Sequence, residues 1–491
     1  MLKLFLRSIQ ALILLSFLVP LQLPKVRNEN ISAASSSVTL ARDNTPVCLA
    51  DLDRQINRII NREGFDRASW GILIQTLDDR TTIYAKNPEK YFLPASGAKL
   101  LTTAAALSEL GSRYRFSTSV YGVGNLPNLT TLRVVGSKDP SLSTQDLENL
   151  ADRLREEGVR RISRLIIENR QSSLNPTWEW SDVREYYAVG VYDLNLNENA
   201  VILNILPQRL GQTVKLDWSD AIAAKQWSIE NQAITAPENT PYNVEIKGVL
   251  AKPILKITGE LASDSGPDIW GLAVPNPSQY FKESFLKILR ARGIQVDSSS
   301  IDNRPFSIPR GTKLTTIYSE DLDILVTKTN QESNNLYAET LFQILKDRFR
   351  EETGGDAIEL VLSELGIDAD SYTLNDGSGL SRQNLVSPQA IVQTLQVMAK
   401  SPQAEIYRDS LAVAGVSGTL KKRFLNTPIN GKLQAKTGTL TGVSSLSGYL
   451  ELPNYETLVF SIIINHADFK TSLQRRAIDE IVLLLNDLRS C

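Results

Sequence analysis

The sequence predicts an α+β fold in which one antiparallel sheet takes strands from both ends of the chain and is covered by helices. A helix and a hairpin near the N-terminus, and two strands followed by a helix near the C-terminus, predict this arrangement. The stretch between them has short strand-like runs and predicts a large strand-rich insertion of one or two small domains. A length of 491 residues leaves room for this organisation.

The N-terminal elements follow one another closely. Apolar residues at helical spacing predict a helix over residues 49–62, and alternating residues on both sides of an Asp-Asp turn predict a hairpin over residues 71–85. A helix rich in Ala and Leu then follows Ser96 and ends at Gly111. These elements supply one part of the predicted sheet and of its helical cover.

The C-terminal elements supply the other part. Residues 442–452 and 456–465 read as strands, and residues 473–488 read as an amphipathic helix. Because helices and neighbouring strands of the same kind occur at both ends, we expect the two ends to meet in one sheet.

The middle of the chain, residues 116–279, is the predicted insertion. It contains strand-like runs at residues 132–136 and 254–261. One helix interrupts them, with Ser143 as its expected N-cap and with residues 144–157 as its extent.

The first residues read as an export signal. Lys3 and Arg7 precede an apolar run over residues 9–23, and small residues near Ala34 follow it. We expect residues 1–34 to be a cleaved signal peptide, and an uncleaved membrane anchor is the alternative. The protein is therefore expected in the periplasm or on the outer face of the cytoplasmic membrane.

Composition argues against several classes of chemistry. The 53 basic and 55 acidic residues nearly balance, which argues against a nucleic-acid partner. One histidine and two cysteines leave no cluster for a zinc site, so we expect no metal and no cofactor, although a magnesium or calcium site made of carboxylates alone stays open. Cys48 and Cys491 either form a disulfide, which an exported protein can keep, or remain free thiols.

The first chemical motif is Ser96-Gly97-Ala98-Lys99 at the start of a predicted helix. Residues three apart share a helix face, so the Lys99 amine can reach the Ser96 hydroxyl, and the helix N-terminus contributes N–H groups. A lysine that is kept neutral can take the proton of the hydroxyl, which makes Ser96 a candidate nucleophile. The alternative for this common pattern is a helix cap followed by a surface lysine.

The second motif is Lys436-Thr437-Gly438-Thr439, which is predicted on a strand. Lys436 and the two threonine hydroxyls can hold a carboxylate, Gly438 can let a substrate backbone come close, and the Thr439 amide can bind an oxyanion. The alternative is an edge strand with a solvated lysine.

The third motif is Ser333-Asn334-Asn335, which opens a helix that runs through Tyr337. Taken alone, Ser333 is best explained as the N-cap of that helix. The order of the three motifs, SxxK, SxN and KTG, favours a different interpretation, because it is the signature of serine penicillin-recognising enzymes.

A fourth stretch, from Asp376 to Arg382, reads Asp-Gly-Ser-Gly-Leu-Ser-Arg and narrows the match. With it, the chain resembles the D-Ala-D-Ala carboxypeptidase/endopeptidase family, the low-molecular-mass class C penicillin-binding proteins, over essentially its whole mature length. The resemblance implies a penicillin-binding/serine β-lactamase-like fold. It also implies a transpeptidase-like catalytic domain over residues 46–115 plus 280–491, which the insertion at 116–279 divides.

The resemblance further implies an activity and a set of roles. A serine D-alanyl-D-alanine carboxypeptidase, with endopeptidase activity, acts on peptidoglycan stem peptides through an acyl-enzyme, and β-lactam antibiotics inhibit it covalently. The expected catalytic residues are Ser96, Lys99, Ser333, Asn335 and Lys436, with the amides of Ser96 and Thr439 as the oxyanion hole. The expected substrate-binding residues are Thr437, Gly438, Thr439, Arg382, Asp182 and Tyr187. Thr441 stands where a longer amide occurs in the best-known relative.

Three alternatives to this function remain. A serine β-lactamase shares the three motifs, and a non-catalytic peptidoglycan-binding protein can share the fold. A mechanism based on Ser, His and Asp would have to use His466, the single histidine. The oligomeric state does not follow from the sequence.

Overall fold

The computed structural model describes residues 47–170, 174–249, 252–304, 311–453 and 455–489 of the chain. The predicted export signal over residues 1–34 lies outside the described residues, and so does Cys491. In the part of the chain that the structure describes, no helix is both long and apolar enough to cross a membrane.

Strands and helices occur along the whole described chain. The strands are β1 (Val47–Cys48), β2 (Ser69–Thr76), β3 (Thr82–Lys86), β4 (Ser117–Asn125), β5 (Asn128–Gly136), β6 (Arg161–Glu168), β7 (Ala200–Leu206), β8 (Lys215–Trp218), β9 (Ser228–Asn231), β10 (Ile234–Ala236), β11 (Glu245–Val249), β12 (Lys252–Thr258), β13 (Glu260–Ala262), β14 (Asp268–Ala273), β15 (Gln295–Asp302), β16 (Thr312–Tyr318), β17 (Tyr372–Thr373), β18 (Leu385–Val386), β19 (Ala412–Val413), β20 (Leu433–Leu440), β21 (Val443–Leu450), β22 (Leu458–Asn465) and β23 (Leu488–Arg489). The α-helices are α1 (Leu49–Ile60), α2 (Lys99–Leu110), α3 (Thr144–Glu156), α4 (Ala221–Ala224), α5 (Pro277–Ala291), α6 (Leu322–Gln331), α7 (Asn335–Phe349), α8 (Gly354–Glu364), α9 (Pro388–Met398), α10 (Ala404–Asp409) and α11 (Thr471–Asn486).

A six-stranded antiparallel sheet joins the two ends of the described chain, in the order β19-β20-β21-β22-β2-β3. Strands β2 and β3 come from the N-terminal part of the chain, and the other four come from the C-terminal part. The predicted α+β fold with a sheet built from both chain ends is therefore confirmed.

Both faces of this sheet are covered by helices. Side chains of a strand point alternately to opposite faces. On β22, Ile462 and Ile464 belong to the apolar cluster that includes α1 and α11, whereas Ile463 belongs to the cluster that includes α2 and α9. All eight residues of β22 are buried, as expected for a strand that is covered on both sides. The sheet is thus held between two layers of helices.

A second sheet has five strands in the order β15-β6-β5-β4-β16, and α3 and α5 pack against it. Helix α3 begins where the sequence predicts, because the Ser143 hydroxyl accepts the Asp146 N–H and the Asp146 carboxylate accepts the Ser143 N–H. The sheet also includes β15 and β16, which lie beyond the predicted end of the insertion at residue 279. The serine-rich sequence of β15 has no apolar alternation, yet its backbone pairs in parallel with β6.

Contacts divide the described chain into two compact units. One unit is Ala200–Pro275, and the other joins the described residues of Arg42–Asn199 and Asn276–Cys491. The predicted insertion, residues 116–279, does not coincide with either unit, because residues 116–199 fold together with the part that was expected to be catalytic. As a division into folding domains, the predicted boundaries stay a prediction.

The unit Ala200–Pro275 consists mainly of short strands. Its sheets are β14-β7-β8, β11-β12-β9 and the pair β10-β13. The prediction of a single strand over residues 254–261 is wrong in one respect, because the strand is interrupted at Gly259, where φ is +100°. A Cβ on Gly259 would lie 2.3 Å from the carbonyl oxygen of Asn243. Two strands, β12 and β13, therefore replace the single predicted strand.

The two ends of the described chain meet in a short parallel pair, in which β1 lies beside β23 and Cys48 is opposite Arg489. Cys48 is not a free thiol. We therefore expect the disulfide between Cys48 and Cys491. Mass spectrometry of the non-reduced protein should find one intact bridge, and Cys48→Ser should lower the free energy of unfolding by about 2–4 kcal/mol. Two free thiols in the non-reduced protein would contradict this expectation.

Candidate active site

The candidate nucleophile lies on a tight turn before a buried helix. Residues Ala95–Ala98 form a 3₁₀ turn that leads directly into α2, and Ala95 has a left-handed φ of 48°. The chain packs closely against this turn, since a Cβ on Gly379 would lie 1.7 Å from the Ala95 carbonyl oxygen. Ser96 is thus held at the entrance of α2, three residues before Lys99.

The Lys99 side chain is fully buried and has three partners. Its Nζ lies 2.9 Å from Ser96 Oγ and donates to Asn335 Oδ1 and to the Ser378 carbonyl oxygen, both at 2.7 Å. A neutral amine has two N–H groups and one lone pair. The two carbonyl acceptors therefore use the N–H groups and leave the lone pair for the Ser96 hydroxyl. The alternative of a surface lysine is wrong.

Burial sets the protonation of Lys99. Loss of hydration lowers the pKa of its amine from 10.5 to about 7. The carboxyl groups of Asp376 and Glu339 act in the opposite direction, because negative charge favours the ammonium form. A base with a pKa near 7 can both accept and return a proton at neutral pH.

Asp376 organises the segment behind Lys99. It is fully buried, and four N–H donors surround its carboxylate. The donors are the backbone N–H of Gly379 at 2.7 Å and of Ser381 at 2.6 Å, the Asn384 amide at 2.7 Å and the Trp178 indole at 2.8 Å. A buried carboxylate needs such donors, and here they fix the loop that supplies the Ser378 carbonyl.

Glu339 is a residue of the site that motif reading missed. Its carboxyl accepts the Ser378 N–H at 2.8 Å, and the Ser378 carbonyl oxygen accepts a hydrogen bond from the Lys99 amine. Burial, together with the nearby Asp376, raises the pKa of Glu339 to about 8. Glu339 follows Asn335 by four residues on α7, and this spacing indicates a shared helix face. Glu339 therefore holds the residue that orients the Lys99 amine.

The motif Ser333-Asn334-Asn335 leads into α7. Asn334 caps the helix, because its Oδ1 accepts the Tyr337 N–H at 3.3 Å. The simplest interpretation of the sequence, with Ser333 as the N-cap, is wrong. The Ser333 hydroxyl instead accepts the Lys436 Nζ at 2.9 Å.

Lys436 is the second fully buried lysine. Its Nζ also donates to the Thr437 carbonyl oxygen at 2.9 Å. Burial, aided by the charge of Lys99, holds the pKa of Lys436 well below its ordinary value of 10.5. A solvated edge-strand lysine is therefore wrong, and the site contains two hydroxyl–amine pairs.

Gly438 lies where β20 approaches the nucleophile turn. A Cβ on Gly438 would be 2.2 Å from Ser445 Oγ and 2.7 Å from the Pro94 carbonyl oxygen. Ser445 Oγ also donates to that carbonyl at 2.9 Å. The protein itself fills the space that a side chain at position 438 would need, and the role of admitting a substrate backbone stays a prediction. The missing side chain lets β20 close onto the turn that carries Ser96.

The two threonines of β20 have different partners. Thr437 Oγ1 donates to Thr419 Oγ1 at 2.8 Å, and Thr439 Oγ1 accepts a guanidinium N–H of Arg475 at 3.1 Å. Arg475, on α11, is a partly buried residue that the sequence motifs did not indicate. It adds a positive charge beside the strand, which suits the binding of a carboxylate.

Asp182 and Tyr187 form a hydrogen-bonded pair, and Tyr187 contacts one of the motifs. The Tyr187 hydroxyl donates to Asp182 Oδ1 at 3.0 Å, and the Tyr187 carbonyl oxygen accepts the Asn335 amide at 2.8 Å. Burial raises the pKa of Asp182. The structure therefore brings Tyr187 to the motif Ser333-Asn334-Asn335, and Asp182 is attached to the Tyr187 side chain.

Arg382 has partners other than Asp182. Its Nε donates to Glu179 Oε1 at 2.7 Å, and its guanidinium also donates to the Thr441 carbonyl oxygen at 3.3 Å. Thr441 thus contacts Arg382 through its backbone carbonyl rather than through its side chain. Glu179, which the sequence did not single out as a site residue, neutralises the arginine.

The model of a known protein family matches most of this chain. The model of the D-Ala-D-Ala carboxypeptidase 3 (S13) family matches residues 52–487. The chain belongs to this family.

Individual relatives agree with membership of the S13 family. A D-alanyl-D-alanine carboxypeptidase of Actinomadura sp. (strain R39) is 29% identical over 454 residues, which are 85% of this chain and 81% of the relative. A penicillin-sensitive carboxypeptidase A of Dictyostelium discoideum is 27% identical over 482 residues, 89% of this chain and 91% of the relative. The crystal structure of penicillin binding protein 4 from Haemophilus influenzae matches with a TM-score of 0.76 at 24% identity, over 88% of this chain and 99% of that one. The structural match confirms the predicted penicillin-binding fold.

His466 is placed differently from a catalytic histidine. Its Nδ1 lies 3.2 Å from Ser69 Oγ, just after β22. The Ser96 hydroxyl has Lys99 as its partner. Nothing in this contact pattern supports the alternative mechanism based on Ser, His and Asp.

The site of this S13-family chain therefore contains two serine–lysine pairs, and an amide binds the lysine of one of them. Ser96 pairs with Lys99, Ser333 pairs with Lys436, and Asn335 binds Lys99. Among the described residues, no group of three or more His, Cys, Asp or Glu side chains is arranged to hold a metal ion. The arrangement can carry out nucleophilic acyl transfer, with protons moving between hydroxyls and amines.

Gly438→Ala should slow the acylation of Ser96. The new methyl group would meet the Pro94 carbonyl, so β20 must move away from the nucleophile turn, and we expect a loss of about hundredfold. Time courses of labelling with a fluorescent penicillin measure this rate. Gly266→Ala is the matched control, because its Cβ would meet nothing within 4 Å. Equal rates for the two variants would show that the close approach at Gly438 is unimportant.

The acylation rate should rise with pH through about 7. Lys99 must be neutral to accept the Ser96 proton, and its lowered pKa makes the neutral form dominant only above about 7. At pH 5, two units lower, the rate should be about a hundredth of its plateau. A pH–rate profile of acylation by a β-lactam checks this. A rate that stays constant from pH 5 to 8 would exclude Lys99 as the base.

Proposed function

We propose that this chain is a serine D-alanyl-D-alanine carboxypeptidase, with endopeptidase activity, that acts on peptidoglycan stem peptides. One observation carries the proposal: the buried Lys99 amine faces the Ser96 hydroxyl in a chain of the D-Ala-D-Ala carboxypeptidase 3 (S13) family. No cofactor is needed, because the hydroxyls and amines of the chain supply the nucleophile and the proton carriers.

In the first step, Ser96 Oγ attacks the carbonyl carbon of the penultimate D-Ala residue. A bond forms between Oγ and this carbon, and the hydroxyl proton moves to Lys99. The backbone N–H groups of Ser96 and Thr439 stabilise the oxyanion. The close approach of β20 to the turn that carries Ser96 supports this oxyanion hole, because it occurs at Gly438, the residue that precedes Thr439.

In the second step, the C–N bond to the terminal D-Ala breaks and the leaving amine takes a proton. Ser333 and Lys436 relay to it the proton that Lys99 accepted from Ser96, so Lys99 becomes neutral again, and the contact of 2.9 Å between Lys436 Nζ and Ser333 Oγ supports the relay. Water then attacks the acyl-enzyme and releases the shortened peptide, with Lys99 as the general base. The proton returns to Ser96 Oγ, so the enzyme is regenerated.

The substrate carboxylate is held at β20 in this proposal. Lys436, Thr437 and Thr439 provide the donors, and Arg475 adds positive charge next to Thr439. Asp182, Tyr187 and Arg382 hold the amine-bearing side chain of the stem peptide. The polar pairs that these residues form support such a role, since a substrate amine could compete for the Asp182 carboxylate.

A β-lactam antibiotic would acylate Ser96 in the same way as the peptide. Its cyclic amide presents a carbonyl to the nucleophile and a carboxylate to β20, so the groups that bind the peptide also suit the drug. The penicillin-sensitive relative in Dictyostelium discoideum is consistent with this inhibition.

We further propose that the protein acts outside the cytoplasm, in the periplasm or on the outer face of the cytoplasmic membrane. Its proposed substrate, peptidoglycan, lies there, and the N-terminal segment has the composition of an export signal.

Product analysis tests the function directly. The purified protein should release D-Ala from a stem pentapeptide and should cleave a cross-linked dimer, as followed by chromatography and mass spectrometry. Ser96→Ala should abolish both reactions, with a loss of about 10⁴-fold or more. His466→Ala is the matched control and should retain activity, because its imidazole contacts Ser69.

Other outcomes would favour the alternatives. Fast turnover of penicillin without peptide cleavage would favour a β-lactamase. Binding of peptidoglycan without acylation of Ser96 would favour a non-catalytic wall-binding protein. A loss in His466→Ala as severe as that in Ser96→Ala would overturn the lysine-based mechanism.

A further inference from the structure

Asn334 is the middle residue of the motif Ser333-Asn334-Asn335 and has no place in the reaction scheme. Its side chain nevertheless makes two contacts. Oδ1 accepts the Tyr337 N–H, and Nδ2 donates to Glu198 Oε2 at 2.8 Å. Each residue of the motif is thus held by a different group, with Ser333 on Lys436, Asn335 on Lys99 and Asn334 on Glu198.

Glu198 connects the two helices that flank the motif. Its second oxygen, Oε1, accepts Lys328 Nζ at 2.5 Å. Lys328 lies in the last turn of α6, and its ammonium also stands 4.9 Å from the ring centre of Tyr337 on α7. One carboxylate therefore holds the end of α6 and the cap of α7, and Ser333 lies between these two points.

The backbone at Ser333 needs such support. Its φ of 61° is left-handed, a conformation that non-glycine residues rarely adopt. Strain of this kind persists only where the surroundings impose it. The contact between Glu198 and Asn334 lies one residue away from Ser333.

The turn that carries Glu198 is itself strained and strongly supported. Asn197, Glu198 and Asn199 are all left-handed, with φ values of 48°, 58° and 53°. Asn195 and Asn199 are fully buried and bind each other at 2.8 Å. Asparagine tolerates this conformation better than most residues, whereas glutamate does not. A glutamate held in this position points to a use for its carboxylate.

The supporting contacts come from several elements. Asn195 donates to the carbonyl oxygens of Lys138 and Asp139, which belong to a stretch that the sequence analysis did not assign to the site. Asn197 Nδ2 donates to Thr144 Oγ1 at 2.8 Å, and its Oδ1 accepts the Thr144 N–H at 3.0 Å. The turn is thus fixed independently of α6 and α7.

We propose that Glu198 is a positioning residue for the reaction: through Asn334 it holds Ser333 against Lys436 and Asn335 against Lys99. Glu198 does not touch the substrate in this proposal. The proposal rests on the proposed acyl transfer at Ser96, and it assigns the Asn-rich turn to the alignment of the motif Ser333-Asn334-Asn335.

The test compares Glu198→Gln with the wild-type protein in acylation by a fluorescent penicillin. A glutamine can accept only one of the two donors and turns an N–H group toward the other. Misalignment of Ser333 and Asn335 should lower the rate constant of acylation by about tenfold to a hundredfold. The affinity for the penicillin before acylation should change less than twofold, and the midpoint of the pH–rate profile should not move.

A double-mutant cycle shows whether the effect passes through Asn334. In the Asn334→Ala background, Glu198→Gln should cause a further loss of less than twofold, because the contact is already absent. A full additional loss in that background would overturn the proposal. If Glu198→Gln does not fold, Asn334→Ala alone decides, and an acylation rate within twofold of wild type would refute the positioning role.

Two control variants separate positioning from charge balance and from stability. Lys328→Met removes the ammonium but keeps the contact between Glu198 and Asn334, so it should acylate within about threefold of wild type. An equal loss in Lys328→Met and Glu198→Gln would overturn the proposal. Glu168→Gln breaks an ion pair with Arg133 in the same unit, which is more buried than the pair of Glu198 and Lys328, and should acylate normally. A loss in this variant equal to that in Glu198→Gln would point to general destabilisation.

Hydrogen exchange gives a readout that does not depend on activity. Amides in the peptide covering residues 332–338 should exchange faster in Glu198→Gln than in wild type and in Glu168→Gln. If wild type and every variant failed to react with penicillin, the proposed function would fail, and the exchange rates would still decide the positioning role. Unchanged exchange in this peptide would overturn it.

Discussion

The active site depends on keeping two lysine amines away from water. An amine with its ordinary pKa of 10.5 is neutral in only about one molecule in three thousand at pH 7, whereas a pKa of about 7 makes half of the molecules neutral. Burial of Lys99 therefore raises the supply of the free base by about a thousandfold. The carboxyl groups of Asp376 and Glu339 work against this, and they limit how far the pKa falls. A pKa close to neutral lets an amine both accept and release a proton, as the proposed mechanism requires of Lys99.

The burial of Lys99 requires most of the larger unit to be folded. Its partners Asn335 and Ser378 follow it by 236 and 279 residues in the chain. Helix α2 brings the lysine, α7 brings the asparagine, and the loop around Asp376 brings the carbonyl. The helices pack against one face of the six-stranded sheet, whose strand β20 carries Lys436. An unfolded chain would have solvated lysines of ordinary pKa, so the chemistry is a property of the packed structure.

The sequence predicted those features that depend on local patterns. Helical spacing predicted α1, α3 and α11. The three motifs predicted Ser96 on a helix, Ser333 before a helix and Lys436 on a strand. Prediction from the sequence was wrong where the backbone conformation determines which groups are in contact. The cap of α7 is Asn334, since the left-handed Ser333 leaves its own hydroxyl to Lys436. The strand β15 has no apolar alternation because backbone pairing with β6, rather than side-chain burial, defines it. Glu339 was not predicted as a site residue, because a single acidic residue on a helix is normally exposed to solvent.

The stretch between Lys99 and Ser333 does more than interrupt the part expected to be catalytic. Its residues 116–199 fold in the same compact unit as the motifs, and two of its groups touch the motif Ser333-Asn334-Asn335 directly. The Tyr187 carbonyl oxygen binds Asn335, and the Glu198 carboxylate binds Asn334. Asn335 in turn binds Lys99, so a chain of hydrogen bonds runs from this stretch to the proposed catalytic base. A hydrogen bond to a side-chain amide fixes direction as well as distance. The stretch therefore determines how the amide faces the lysine, and with it where the lone pair of Lys99 lies relative to Ser96.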